Sequence, residues 1–242
     1  MVTFGALLAL PSWATVKEIT CYSDVFAPYV IAEGTTVRGI DVDTIAEAGR
    51  RVGVKVTFKI LPWLRIERDI AMGAVGGVDC AFAYTATEAR KAYMDFTTVP
   101  VKLTELVLFV RRGSFESFQS FDMFKGKTIG VRRGFRVPDA LRVLVDQGSI
   151  TLEEVNADLQ NFEKLKRGRL AAVLSNHEVG DETVAQMGAT DMVALSPSVQ
   201  LTPTYLVFNK AKDFGGLVPL FDKGLQLVVA DGTYRKIVAR YR

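Results

Sequence analysis

Between residues 18 and 83 the chain repeats one local pattern: a short apolar or alternating run, an amphipathic stretch, then another run. EITCYS (18–23) has the character of a buried strand. In DVDTIAEAGRRVG (41–53), Val42, Ile45, Ala46, Ala48 and Val52 recur at helical spacing, with Asp41 positioned to cap the helix and Gly53 to end it. VKVTFKIL (54–61) alternates as a strand, LRIERDIAMG (64–73) returns to helical spacing, and VDCAFA (78–83) is a tight apolar run. Strand-helix-strand-helix-strand in so short a span predicts a parallel sheet with helices on its faces.

A second series follows. ELVLFV (105–110) and KTIGV (127–131) read as strands, and VPDALRVLVDQG (137–148) as a helix with Pro138 in its first turn and Gly148 at its end. LEEV (152–155), LAAVLS (170–175), DMVALS (191–196) and YLVFN (205–209) continue the alternation, and the stretches 214–232 and 233–242 are helical. Neither a low-complexity linker nor a short-period repeat separates the two series, so they read as two lobes of one unit. The 242 residues are enough for two lobes of roughly 100 residues each. Sheets of this kind receive ligands outside the carboxyl ends of their strands, which puts a crevice between the lobes.

Composition excludes several classes. The net charge is +3, with 30 basic and 27 acidic residues spread along the chain, so there is no nucleic-acid footprint. The two cysteines, Cys21 and Cys80, exclude a disulfide-rich scaffold and a CxxC site. They fall on candidate neighbouring strands, where parallel pairing seldom gives good disulfide geometry, so two buried free thiols are expected. The single histidine, His177, argues against a histidine-based metal centre, and no metal or cofactor is expected.

The first residues, MVTFGALLALPSWATVKEIT, carry an apolar core from Phe4 to Leu10, the breaker Pro11, and Ser12-Trp13-Ala14 in a small-x-small arrangement. That is the form of a secretory signal peptide over residues 1–14, with a mature start at Thr15 and a destination in the periplasm. The apolar core is too short to span a bilayer. It lacks the basic residues of a leader's first region, which points to a start further upstream.

Four pieces, in order, carry a resemblance. FAPYVIAEGTTVRGIDVDTIAEAGRRVGVKV (26–56) has aromatic-Ala-Pro-aromatic and then Gly-Ile-Asp-Val-Asp leading into a helix. VDCAFAYTATEARKAYMDFTTVPV (78–101) has Thr-x-x-Arg followed by Asp-Phe-Thr, FKGKTIGVRRG (124–134) opens the second series, and ADGTYRKIVARY (230–241) closes the chain. Together they resemble the periplasmic solute-binding proteins of family 3, the polar amino-acid receptors of ABC importers. The resemblance implies a two-lobe α/β fold of the type 2 periplasmic-binding-protein kind, each lobe a mixed, mainly parallel sheet flanked by helices. Lobe 1 would hold 15–101 plus 206–242 and lobe 2 would hold 105–201, with hinge strands near 100–104 and 202–205. It further implies a monomer that closes on a small carboxylate-bearing ligand and serves a membrane permease.

Residue by residue, the resemblance makes Arg90 the clamp of a ligand carboxylate, a task suited to a planar, permanently charged fork. Thr85 would add a hydroxyl to the same anion, and Phe26 and Trp63 would sandwich the ligand. Ser23 and Asp24, at the end of the first strand, stand where the family places polar contacts. Arg132 and Arg136 flank Gly134 at the mouth of a helix, a setting that favours anions. Arg136 departs from the small residue frequent there, and Tyr84 also replaces a smaller one. Arg65, in Pro-Trp-Leu-Arg, resembles a branch with Trp-x-Arg, and its reach toward the cleft stays open. The main departure is Asn176, where the family has the acid that pairs with the ligand's α-ammonium. The three arginines and this amide together suggest a ligand more negative than a neutral amino acid. His177 and Glu178 are expected to be structural.

The expected function is therefore a binding protein and not an enzyme. An orphan or sensory receptor of the same fold is the alternative. A cyclohexadienyl or arogenate dehydratase also uses this fold, but that chemistry needs a carboxyl acid where Asn176 stands.

Overall fold

The computed structural model describes residues 17–73 and 77–241, so the expected leader and its cleavage before Thr15 lie outside the described residues. The chain opens with β1 (Lys17–Ser23), the hairpin β2 (Ile31–Glu33) and β3 (Thr36–Arg38), and α1 (Ile40–Arg51). It continues through β4 (Val54–Ile60), α2 (Trp63–Ala71), β5 (Cys80–Tyr84), α3 (Glu88–Lys91) and β6 (Met94–Phe96). After β7 (Lys102–Arg111) come β8 (Thr128–Arg132), α4 (Asp139–Asp146), β9 (Thr151–Val155), α5 (Asp158–Lys166) and β10 (Ala172–Asn176). The remainder is α6 (His177–Gln186), β11 (Met192–Ala194), β12 (Gln200–Asn209), α7 (Val218–Ala230) and α8 (Thr233–Ala239).

Both expected parallel series form. β4, β1 and β5 pair in parallel, as do β10, β8 and β9. The long strands β12 and β7 lie between the two trios and pair antiparallel with each other, β12 also with β5 and β7 also with β10. The result is one ten-stranded mixed sheet in the order β4-β1-β5-β12-β7-β10-β8-β9, with β6 added on β12 and β11 on β7. The α/β fold class expected from the alternation is present.

Helices cover both faces of each trio, and the apolar core divides accordingly. One cluster joins Ile19, Ile45, Phe82 and Phe208 to Phe221 and Leu225 of α7, and a smaller one gathers Ile66, Ile70, Tyr84 and Met94. On the other trio, Leu108, Ile129 and Leu174 pack with Leu141, while Phe109 and Val173 pack with Phe162 on the opposite face. Gly224 permits a close helix–helix contact. A Cβ there would stand 2.4 Å from the Ala48 carbonyl oxygen of α1, so any side chain would push α7 away.

Two local expectations need correction. The cap of α1 is Gly39, whose φ of 135° only glycine adopts easily, and Asp41 lies inside the first turn, fully buried. Its carboxylate is turned inward to meet Lys102 Nζ at 2.6 Å, which removes it from the helix end. The cysteines are also not free: Cys21 and Cys80 form a disulfide. Parallel pairing of β1 and β5 sets the two residues directly opposite each other, with their Cα atoms 4.3 Å apart, and that register brings the sulfurs together inside the core.

The bridge closes a loop with a sequence separation of 59, and closing a loop of this size restricts the unfolded chain. Thiol titration of the denatured, unreduced protein should find no reactive thiol. Reduction should lower the unfolding free energy by about 2–5 kcal/mol. Two titratable thiols would show that the bridge does not form.

Candidate functional site

The carboxyl ends of β1, β5, β8 and β10 converge on a cleft of about 270 Å³ whose floor is the β7–β12 pair. Of the residues singled out from the sequence, Asp24, Phe26, Trp63, Thr85, Arg90, Arg132, Arg136 and Asn176 line it. Ser23 and Tyr84 do not; both are buried behind the wall. Arg65 stays on the surface, 3.6 Å from Asp69.

Tyr84 is a supporting residue and not a wall residue. Ala83 adopts φ 67°, and the pairing of β5 with β12 slips at this point, so the strand turns Tyr84 inward while Ala83 and Thr85 face the cleft. A left-handed alanine costs about 1–2 kcal/mol, a strain that packing on both sides must hold. The buried Tyr84 ring then stacks on Trp63 at 4.5 Å and carries the Arg90 guanidinium 4.9 Å from its centre. One face of Trp63 is thereby covered, and the other is left for the cleft.

Arg90 is held on two sides. Its Nε and Nη2 donate to the two carboxylate oxygens of Glu67 at 3.1 and 3.2 Å, and Nη1 donates to the Thr85 hydroxyl at 3.0 Å and carbonyl at 3.3 Å. Tyr93 donates to Glu67 at 2.6 Å, which fixes the carboxylate in turn. Burial and the Glu67 carboxylate push the Tyr93 phenol up to about 12. The guanidinium is thus oriented before anything binds, and its bidentate edge faces Glu67 instead of the cleft. The second hydrogen on Nη2 and the O–H of Thr85 are the donors left for an anion.

Arg132 spans the cleft. Nη2 meets Asp24 at 2.7 Å, while Nη1 donates to the Val25 carbonyl at 2.9 Å and to Asp158 at 3.1 Å. Burial pushes the Asp158 carboxyl up, and the Arg132 charge opposes that shift. On the same rim, a Cβ added to Gly134, at φ 76°, would stand 3.1 Å from Trp63 Cδ1 and 3.0 Å from Leu64 Cδ2. Absence of a side chain at Gly134 lets this loop rest on Trp63. Arg136 sits half exposed at the mouth, 3.0 Å from Asp139. The excess of positive charge expected from three arginines is therefore absent, because each one already faces a carboxylate.

Asn176 ends β10 and caps α6, and its side-chain oxygen is buried with no partner among the described residues. His177 bonds Glu105 at 3.0 Å outside the cleft lining, in agreement with a structural role. Sequence reasoning missed Glu67, Asp158 and the floor: Lys102, Thr104, Thr202 and Thr204. Lys102 is buried against Asp41, with Nζ 3.1 Å from the centre of the Tyr29 ring. Burial pushes the Asp41 carboxyl up and the Lys102 ammonium down, and their contact opposes both shifts. A lysine near the start of the strand-like run VKLTELVLFV was the available signal. Among the described residues no group of acids, histidines or cysteines could hold a metal ion.

Residues 19–242 match the bacterial extracellular solute-binding proteins, family 3. An ancestral arginine-binding protein bound to arginine superposes with a TM-score of 0.78 at 23% identity, covering 93% of this chain and 97% of that one. The arginine-, lysine-, histidine-binding protein ArtJ from Geobacillus stearothermophilus gives 0.75 at 21%, covering 93% and 95%. A histidine kinase sensor domain with similarity to periplasmic binding proteins gives 0.76 at 16%, covering 93% and 95%. No curated protein sequence matches the chain.

The Asp41–Lys102 pair gives a test of the floor. Lys102→Met leaves a buried carboxylate alone and should cost about 3–5 kcal/mol in urea unfolding. Adding Asp41→Leu should recover most of that loss. A double variant as unstable as the single one would show that the two charges are not coupled.

Proposed function

The chain belongs to the bacterial extracellular solute-binding proteins of family 3, and from that premise we propose that it captures a small carboxylate-bearing solute in the cleft and delivers it to an ABC-type membrane permease. In this reading 15–101 plus 206–242 form lobe 1, 105–201 form lobe 2, and the segments near 100–104 and 202–205 are hinges that open and close the cleft as a monomer. Arg132, bonded to Asp24 and Val25 on one side and Asp158 on the other, is the cross-cleft contact that opening must break. The family and the structural relatives are binding proteins, not enzymes.

The observation that carries the reading is the pre-oriented Arg90–Thr85 pair in a small cleft. A carboxylate there receives charge-assisted hydrogen bonds without a cost for ordering the arginine. The relatives named for arginine are bound to, or named for, a cationic amino acid. In this chain Asn176 stands in the place expected of the ammonium's partner, and an amide cannot neutralise a cation. The other acids of the lining are engaged: Asp24 and Asp158 by Arg132, and Asp139 by Arg136. The ligand in this reading is a carboxylic acid that lacks a free α-ammonium or pairs it away from Asn176, with Ser23, Asp24 and Glu178 as the alternative partners.

Placement in the periplasm rests on the expected leader and suits the family and the core disulfide. A sensory role is the second reading, favoured by the likeness to the kinase sensor domain.

Three measurements test this reading. N-terminal sequencing of exported protein should begin at Thr15; an intact Met1 would overturn the leader. A thermal-shift screen against amino acids, dicarboxylates and opines should find a ligand whose affinity, by calorimetry, falls by about 2–5 kcal/mol in Arg90→Ala, the usual cost of leaving a buried charge unpaired. Unaltered affinity would remove Arg90 from the site. Asn176→Asp should weaken that ligand by about 1–3 kcal/mol. Tighter binding of a standard α-amino acid by this variant than by wild type would restore a plain amino-acid receptor.

A further inference from the structure

The crossing strands have an inverted pattern. Register pairs Thr204 with Lys102, Thr202 with Thr104 and Gln200 with Leu106, and side chains two apart on a strand share a face. Lys102, Thr104, Leu106, Gln200, Thr202 and Thr204 all line the cleft, while Leu103 and Leu201, on the alternate face, are each 62% exposed. A strand pair that turns leucines to solvent and threonines inward is not building core, because polar groups at inward positions destabilise unless they meet a partner. Yet the Oγ1 atoms of Thr104 and Thr204 and the Oδ1 of Asn176 are buried with no hydrogen-bond partner among the described residues. Such groups are normally satisfied in a folded protein.

We propose that this floor is a second subsite, which takes the far end of the ligand and selects a neutral hydrogen-bonding group, a hydroxyl or a primary carboxamide. The inference rests on the reading that a carboxylate sits at Arg90. Threonine hydroxyls rotate to donate or accept, and a carboxamide can turn over, so the three unpaired groups suit a partner that does both. Charge decides against the alternatives. Lys102, the charged group of the floor, is already matched by Asp41 at 2.6 Å, and the lining carboxylates Asp24, Asp139 and Asp158 are already matched by arginines. A second carboxylate would therefore gain no free cation, an ammonium would gain no free lining carboxylate, and a methyl end would leave the floor unsatisfied.

The test is calorimetry of the full chain with five straight-chain acids that differ only at the far end: 5-hydroxypentanoate, glutaramate, glutarate, 5-aminopentanoate and pentanoate. Glutaramate or 5-hydroxypentanoate should bind at least about tenfold tighter than the other three, the scale of one buried hydrogen bond. Thr104→Val combined with Thr204→Val should erase that preference, with a thermal melt showing that the variant is folded. Equal or tighter binding of glutarate, 5-aminopentanoate or pentanoate by wild type would overturn the floor subsite and leave the Arg90 carboxylate site standing. A preference that survives the double substitution would also overturn it. Binding of none of the five would overturn the carboxylate reading and the subsite with it.

Discussion

The antiparallel pairing of β7 with β12 is the constraint on which the rest of the molecule depends. Five consecutive pairs, from Gln200–Leu106 to Thr204–Lys102, hold the two parallel trios in one sheet. Because both trios point their carboxyl ends toward this crossing, the ends of β1, β5, β8 and β10 deliver Asp24, Thr85, Arg132 and Asn176 to one cleft. The same register turns three threonines and a lysine into its floor. Loss of the pairing would remove the site and the connection between the trios together.

Within the cleft, charge is matched before a ligand arrives. Arg90 faces Glu67, Arg132 faces Asp24 and Asp158, and Lys102 faces Asp41. An unpaired ion in a cleft of this size would be expensive, so the pairing lets the walls close. It also changes what the site can select. A cleft with free positive charge would favour the most acidic ligand present, whereas a matched one discriminates through the few donors and acceptors left open: Arg90, Thr85, the floor hydroxyls and Asn176.

Much of this was legible in the sequence. The strand and helix alternation gave the trios within a residue or two, because long periodic segments such as 40–51 and 54–60 bury one face and must keep the period that does so. The short elements β2, β3, α3 and β6 left no period to read. Cleft residues at strand ends were found through motif order, which is why eight of the ten residues expected there line it. What failed was pairing across the chain. Glu67 lies 23 positions from Arg90 and Asp41 lies 61 from Lys102, and nothing local announces either contact. The disulfide was set aside for another reason: the two cysteines were expected on neighbouring strands, but parallel pairing was expected to give poor bridging geometry, whereas the β1–β5 register sets them directly opposite. Tyr84 was named from the resemblance, and its side chain lies on the face opposite Ala83 and Thr85, in the core.

The most direct test is a crystal structure of the protein with the solute it retains on purification or the acid that binds it best. A carboxylate within about 3 Å of Arg90 Nη2 and the Thr85 hydroxyl, the distance of a charge-assisted hydrogen bond, is the predicted result, with Glu67 still bonded to the guanidinium. An anion seated on Arg132 or Arg136, with Arg90 turned wholly to Glu67, would contradict it.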